Sequence, residues 1–247
     1  MKWFVKSALR RVGLDLVRAD RSAVVREFGP ENAEIIRLVE PYTATSPERI
    51  DSLVEAVRYL VGARIPGAFV ECGTWKGGSM MAAAYRLAEL GELDRELFLY
   101  DTFAGMPEPG EYDVDHTGQD ARPVFRQHDA DGSDWYAATL PTVRRNLART
   151  GYPEDRIHYV EGRVEDTIPR VVPESIALLR LDTDWYESTR HELVHLFPLL
   201  APGGVLIVDD YGHWRGCRRA TDEYFAEHDI HLLLHRVDYT CVIAVRR

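Results

Sequence analysis

Two apolar segments of the sequence each finish in a pair of carboxylates. The first runs from Ala177 to Leu181, with Arg180 as its one charge, and is followed by Asp182 and Asp184 in LRLDTDWYE. The second, VLIVDDYGHW, ends in Asp209 and Asp210. Side chains two apart on an extended chain point the same way, and adjacent strands lie about 5 Å apart. If the two segments are neighbouring strands, the four acids crowd together. Two carboxylates about 4 Å apart repel by roughly 4 kcal/mol at an intermediate dielectric, so such a group either takes up protons or holds a cation. An all-oxygen set with no Cys and no required His selects a hard ion such as Mg2+. That ion can bind a hydroxyl, lower its pKa and orient it, while a neighbouring carboxylate removes the proton. Asp182, Asp184, Asp209 and Asp210 would divide these tasks, and the spacing leaves the division open. The competing reading is separate caps and salt bridges to Arg180, Arg190 or Arg215.

The elements that must carry these residues alternate. A helix is expected from Ser46, with Pro47 at its first position and Ile50, Leu53, Val54, Val57 and Leu60 at helical spacing. Short apolar runs follow at 68–73, 97–101, 157–162, 177–182 and 205–210. Helical segments stand between them at 77–90, 134–149, 165–171 and 187–200, and another is expected near 217–227. The last two runs, HLLLHRV and YTCVIAV, are separated by Asp238 alone. That gap is too short for a helical crossover, so they should pair antiparallel. Alternation of this kind means a mostly parallel seven-stranded sheet with helices on both faces and an antiparallel C-terminal hairpin. This is the Rossmann-like pattern of class I methyltransferases. Residues 1–45 read as a separate N-terminal segment and 46–247 as a single α/β domain. The polar stretch 104–133, rich in Pro, Gly and Asp, leaves directly from a strand end and reads as a substrate-side lid.

In open parallel sheets, ligands bind beyond the carboxyl ends of the strands. The first such end is VECGTWKGGSM. Its glycines at 73, 77 and 78 suit close approach of a ligand to backbone N–H groups. Trp75 stands where a dinucleotide fingerprint needs its second glycine, which argues against a dinucleotide enzyme. Glu71 could accept from an ammonium group, and Ser79, in the first helical turn, could donate to a carboxylate. A ligand with both groups has an amino-acid tail, as S-adenosylmethionine does. Gly73 and Trp75 are counted with this donor site. Asp101 ends the second strand, where an acid normally accepts from ribose hydroxyls. Beyond the third strand, Val164 offers an apolar contact for adenine, and Glu165 or Asp166 an acceptor for its amino group. Thr43 and Thr45, before the first helix, could close over the donor, or serve as turn caps. His213, following the second acid pair, could act as a further base or touch substrate.

Bulk properties narrow the classes. The chain has 247 residues and a net charge of −10, from 30 basic and 40 acidic side chains. Such a balance disfavours a nucleic-acid binder. The three cysteines form no CxxC pair, which suits a reducing, cytoplasmic setting. No run approaches the roughly 18 apolar residues of a membrane span. The N-terminus, MKWFVKSALRRVGLDLVR, is basic and amphipathic. It reads as a helix packing on the domain or on a second subunit, so a homo-oligomer is expected.

The combination VECGTWKGGS, LYDTFAGMPEP, LRLDTDWYEST and GGVLIVDDYGHWRGCRRATDEYF resembles the macrocin O-methyltransferase family from about Thr43 to the C-terminus. The first turn also resembles catechol O-methyltransferase, without a gap from Glu71 to Ser79. The family resemblance implies a Mg2+- and S-adenosylmethionine-dependent enzyme that methylates a sugar hydroxyl on a glycosylated small molecule. It implies metal binding by Asp184, Asp209 and Asp210, with Asp182 as general base. It also implies donor binding by Glu71, Gly73, Ser79 and Asp101. The alternatives are a catechol acceptor, whose vicinal hydroxyls would chelate the same ion, and a nucleotide-binding enzyme on a similar sheet.

Overall fold

The computed structural model describes residues 21–130 and 135–247. The N-terminal amphipathic stretch expected to meet a second subunit lies outside them. Helix α1 (Arg21–Val39) is broken at Gly29, where φ is +78° and Pro30 follows. Its second half buries Ile35, Ile36 and Val39 against helix α2 (Pro47–Gly62). Ser46 caps α2 by accepting from the Arg49 N–H at 3.3 Å, a contact of about 1 kcal/mol. The residues expected at helical spacing, Ile50, Leu53, Val54, Val57 and Leu60, form its buried face. Burial of each such side chain contributes about 1.5–3 kcal/mol.

Strands β1 (Ala68–Cys72), β2 (Leu97–Asp101), β3 (Ile157–Glu161), β4 (Ile176–Leu181), β5 (Leu200–Val208), β6 (His235–Arg236) and β7 (Val242–Val245) form one sheet in the order β3-β2-β1-β4-β5-β7-β6. The first five are mutually parallel, and β7 is antiparallel to both β5 and β6. The expected class I methyltransferase architecture is therefore present. Helices α3 (Gly78–Glu89), α4 (Ala121–Ala130), α5 (Leu140–Leu147), α6 (Val164–Thr167), α7 (Tyr186–Leu196) and α8 (Arg215–Glu227) complete it. Two apolar cores cover the two sheet faces. Phe69, Leu99, Leu178 and Ile207 belong to the α1–α3 side, and Val70, Tyr100, Leu179 and Leu206 to the α7–α8 side. Among the described residues no helix is long and apolar enough to cross a membrane.

Several boundaries differ from those the sequence suggests. The helix expected over 134–149 occupies only Leu140–Leu147, and that expected over 165–171 is the single turn Val164–Thr167. Strand β5 begins at Leu200, the last residue of the helix expected over 187–200 and five residues before the strand was expected. The 104–133 stretch, read as a loop, contains helix α4 and is fastened to the fold. Asp113 is fully buried and accepts from the N–H groups of Gly110 (2.7 Å) and Tyr186 (2.8 Å). Trp185 Nε1 donates to the Pro107 carbonyl at 2.9 Å, and Asp115 bridges Trp214. A hydrophilic composition hid these anchors because each one is a tertiary contact.

Candidate active site

The strand order puts the ends of β1, β4 and β5 side by side, and the side-chain alternation puts Glu71, Arg180 and Asp209 on one face. Arg180 is paired in register with Glu71 on β1 and with Ile207 on β5, two residues before Asp209. Its Nη1 donates to Glu71 Oε1 at 2.8 Å and to Asp182 Oδ2 at 2.6 Å, and its Nη2 donates to Asp209 Oδ1 at 2.7 Å. The second oxygen of Asp209 accepts from Arg49, which arrives from the first turn of α2 and also donates to Asp238 Oδ2 at 2.6 Å. Both readings of the acid pairs hold in part: the acids converge, and guanidinium groups bridge them.

One ligand oxygen from each of Asp182, Asp209 and Asp210 lies within 4.8 Å of the others. Oδ2 of Asp210 is shielded from water and has no hydrogen-bond partner. Its carboxyl neighbours are those of Asp182 and Asp184, so a proton or a cation has to lie between them. Burial pushes Asp182 and Asp210 well above the ordinary carboxylate range, with only partial relief from the arginines. Burial, with the charge of Asp182, raises Asp184 to about 8. Five carboxylates (Glu71, Asp182, Asp184, Asp209, Asp210) thus face two guanidinium groups. The donor set of the trio is all oxygen, crowded with acids, and includes an oxygen without a partner, which fits a hard divalent ion.

Asp184 differs from the other three aspartates. It is not extended: its φ is +65°. Its Oδ1 accepts from Trp214 Nε1 at 2.6 Å. The converging trio therefore contains Asp182, while the resemblance had placed Asp184 in the metal set.

These acids form one wall of a cavity of about 390 Å3. The adjoining wall is the β1–α3 turn. Gly73 has φ +79°, and a Cβ there would stand 2.1 Å from the Asp182 carbonyl oxygen, so only glycine lets β1 and β4 end this close together. Gly78 is crowded in the same way by Tyr42 and Thr43, which brings Thr43 and Thr45 over the start of α3. Trp75 and Ser79 line the cavity from the turn, and Val164 and Glu165 line it from α6. Asp101 borders it as well, and its carboxylate also holds the turn. Oδ2 accepts from the N–H groups of Thr74 (2.7 Å) and Trp75 (3.0 Å), and Oδ1 from that of Phe103 (2.8 Å). Glu71 is 1% exposed, lies beneath the cavity rather than on its wall, and is bound to Arg180. Burial raises its pKa to about 7.

His213 stands at the rim. Its Nδ1 is 3.2 Å from the Tyr239 hydroxyl and its ring lies 5.2 Å from that of His116. Burial and His116 lower its pKa, so it is neutral near pH 7. Sequence reasoning missed Arg49, Tyr136, Trp135 and Tyr239, all on the cavity wall. Arg49 alone carried a local signal, a cation within the first turn of a capped helix, where acids are favoured.

The sequence pattern of the Macrocin-O-methyltransferase (TylF) family matches residues 14–246. The 8-demethyl-8-(2,3-dimethoxy-alpha-L-rhamnosyl)-tetracenomycin-C 4'-O-methyltransferase of Streptomyces olivaceus is 34% identical over 204 residues, 81% of this chain and 74% of that protein. The mycinamicin III 3''-O-methyltransferase of Micromonospora griseorubida is 34% identical over 189 residues, covering 76% of this chain and 72% of that one. The solved structure of the O-methyltransferase NovP superposes with a TM-score of 0.73 at 31% identity, covering 83% of this chain and 82% of that one. With the sheet order, the glycine-crowded turn and these matches in agreement, the chain belongs to the macrocin O-methyltransferase family.

Proposed function

We propose that this O-methyltransferase carries the methyl group of S-adenosylmethionine to a hydroxyl of a sugar on a glycosylated small molecule, with a divalent cation such as Mg2+ held by Asp182, Asp209 and Asp210. The observation that carries this reading is the convergence of those three carboxylates, around an unpartnered Asp210 oxygen, on the wall of the cavity that the β1–α3 turn also lines. The relatives named for rhamnosyl-tetracenomycin and for mycinamicin III support a glycoside acceptor.

Bound there, the cation would supply Lewis acidity and orientation to the acceptor hydroxyl. The chain's own residues do the rest. Thr43, Thr45, Gly73, Trp75 and Ser79 receive the amino-acid end of the donor, while Val164 and Glu165 flank its adenine. Asp101 shapes the turn by accepting from its backbone amides, and Glu71 acts from below through Arg180. The acceptor oxygen attacks the methyl carbon in line, the carbon–sulfur bond breaks, and S-adenosylhomocysteine leaves. The hydroxyl proton goes to Asp184. With one oxygen fixed by Trp214 and its carboxyl left outside the converging trio, Asp184 is the acid placed to act as the base. This reading exchanges the roles of Asp182 and Asp184 relative to the family resemblance. His213, neutral and paired with Tyr239, contacts substrate at the rim.

Incubation with labelled S-adenosylmethionine and a panel of glycosides and catechols, in Mg2+ or in EDTA, tests the reading. Label is expected in glycoside methyl ethers and only with metal. Turnover confined to catechols, or undiminished in EDTA, would overturn it. Asp209→Ala should abolish turnover and leave donor binding largely intact.

A further inference from the structure

Glu192 is an acid the proposed chemistry does not use. It sits in the middle of α7 and is completely buried. Its Oε1 accepts from Thr183 Oγ1 at 2.9 Å. Its Oε2 has no hydrogen-bond partner, and the carboxyl lies beside the Cys72 thiol at the end of β1. A carboxyl so placed is costly: an apolar side chain of similar volume usually serves the core as well or better.

Its position suggests what the acid does. Thr183 stands between Asp182 and Asp184. The segment turns sharply there: the Trp185 N–H donates to the Thr183 carbonyl at 2.7 Å, and Asp184 takes its left-handed backbone conformation. On one side the Asp182 N–H is fixed to the Cys72 carbonyl at 2.9 Å. The methyl of Thr183 packs toward Gly73, where an added Cβ would lie 3.3 Å from it. Two side chains of α7 hold Thr183 from the core: the buried Ser188 hydroxyl donates to its carbonyl at 3.3 Å, and Glu192 receives its hydroxyl.

We propose that Glu192 is a positioning residue which, by holding Thr183 from inside the core, sets how Asp182 and Asp184 are spaced across the turn. This rests on the proposed division of labour, in which Asp182 holds the ion and Asp184 takes the proton. Burial pushes the Glu192 carboxyl well above its ordinary range, and glutamine, whose amide oxygen accepts as Oε1 does, can replace it at the Thr183 contact.

The test compares Glu192→Gln, Glu192→Leu and Thr183→Val by thermal melting, by calorimetric titration with Mg2+ alone, and by kcat and KM for donor. Glu192→Gln should keep the wild-type Mg2+ affinity and kcat. Glu192→Leu should melt no lower than wild type, yet bind Mg2+ at least about fivefold more weakly and lose kcat about tenfold, with donor KM unchanged. Should Glu192→Leu fail to fold, Thr183→Val, which removes the same hydrogen bond from the other side, must show the same two losses. Wild-type Mg2+ affinity and kcat in a folded Glu192→Leu or in Thr183→Val would overturn the inference. Absence of Mg2+ binding by the wild type would instead overturn the proposed metal site.

Discussion

Arg180 and Asp209 meet across β4 and β5 with Nη2 2.7 Å from Oδ1, and both side chains lie out of water. Arginine in the interior of a central strand is costly unless its charge is matched. Here Glu71, Asp182 and Asp209 match it at once. The pairing makes Arg180 the fixed point on which the acids of three strands are assembled.

Removing that fixed point leaves buried carboxylates uncompensated. Arg180→Met should lower unfolding stability by about 3–5 kcal/mol at pH 7.5, the usual cost of breaking a buried ion pair from one side. Urea denaturation in EDTA measures it. A loss under 1 kcal/mol would mean that the acids are already neutral without Arg180.

The crowded acids also set a pH dependence. Asp184 rises to about 8, and Asp182 and Asp210 rise as well, all above the unfolded value near 4. Between those limits the metal-free folded chain binds more protons than the unfolded chain. Its stability therefore falls as pH rises from about 4 towards 8. The melting temperature in EDTA should be lower at pH 8 than at pH 6. Added Mg2+ should raise it more at pH 8 than at pH 6, because the ligands hold fewer protons for the ion to displace. A metal-free protein that becomes more stable over this range contradicts the burial-driven shifts.

The strand ends were legible because a period of two and a Gly-containing turn are local signals. They located Asp182, Asp209, Asp210, Gly73 and Ser79 without a structure. Other features depend on parts of the chain far apart in sequence. Arg49 reaches Asp209 from 160 residues away. The place of Asp101 at a strand end was legible because it is local, whereas its hold on the Thr74 and Trp75 amides is tertiary. Asp184 was taken as extended, and its φ of +65° is imposed by the turn beneath it. The anchors of the 104–133 segment, Asp113 above all, gave no pattern either, since a lone aspartate in a polar stretch looks like solvated surface.

Gly73→Ala tests the close approach of β1 and β4. The new Cβ would stand 2.1 Å from the Asp182 carbonyl oxygen, in a backbone conformation that alanine disfavours. Steric displacement and backbone strain together should cost about 2 kcal/mol or more. Because the displaced atom belongs to Asp182, affinity for S-adenosylhomocysteine and for Mg2+ should fall together in calorimetry. Loss of stability with both affinities intact would show that the two strands relax independently of the site.

Asp210→Asn removes the charge at the one acid oxygen of the trio that lacks a partner. Repulsion from Asp182 and Asp184 is relieved, so the metal-free variant should melt at or above the wild-type temperature at pH 8. Mg2+ affinity should fall at least about tenfold, since even outer partners of a metal site cost that much when lost. A destabilised variant with unchanged Mg2+ affinity would place the ion elsewhere.

Arg49 ties the start of α2 to Asp238 in the β6–β7 turn and to Asp209 at the site. Without a bound ion, it supplies part of the positive charge that Asp209 needs. Arg49→Gln should therefore destabilise the protein in EDTA, by about 2–3 kcal/mol for a largely buried charged contact. A bound cation can replace that charge at Asp209 but not the tether to Asp238. The deficit should shrink as Mg2+ rises, because the ion stabilises the folded state by RT ln(1 + [Mg2+]/Kd) and the variant presents a more negative site. Asp238→Asn removes only the tether, and its deficit should not depend on Mg2+. Thermal melting of the two variants across a Mg2+ series separates the contributions. A deficit in Arg49→Gln that stays constant from EDTA to saturating Mg2+ would show that Arg49 serves the fold alone and does not share Asp209 with the ion.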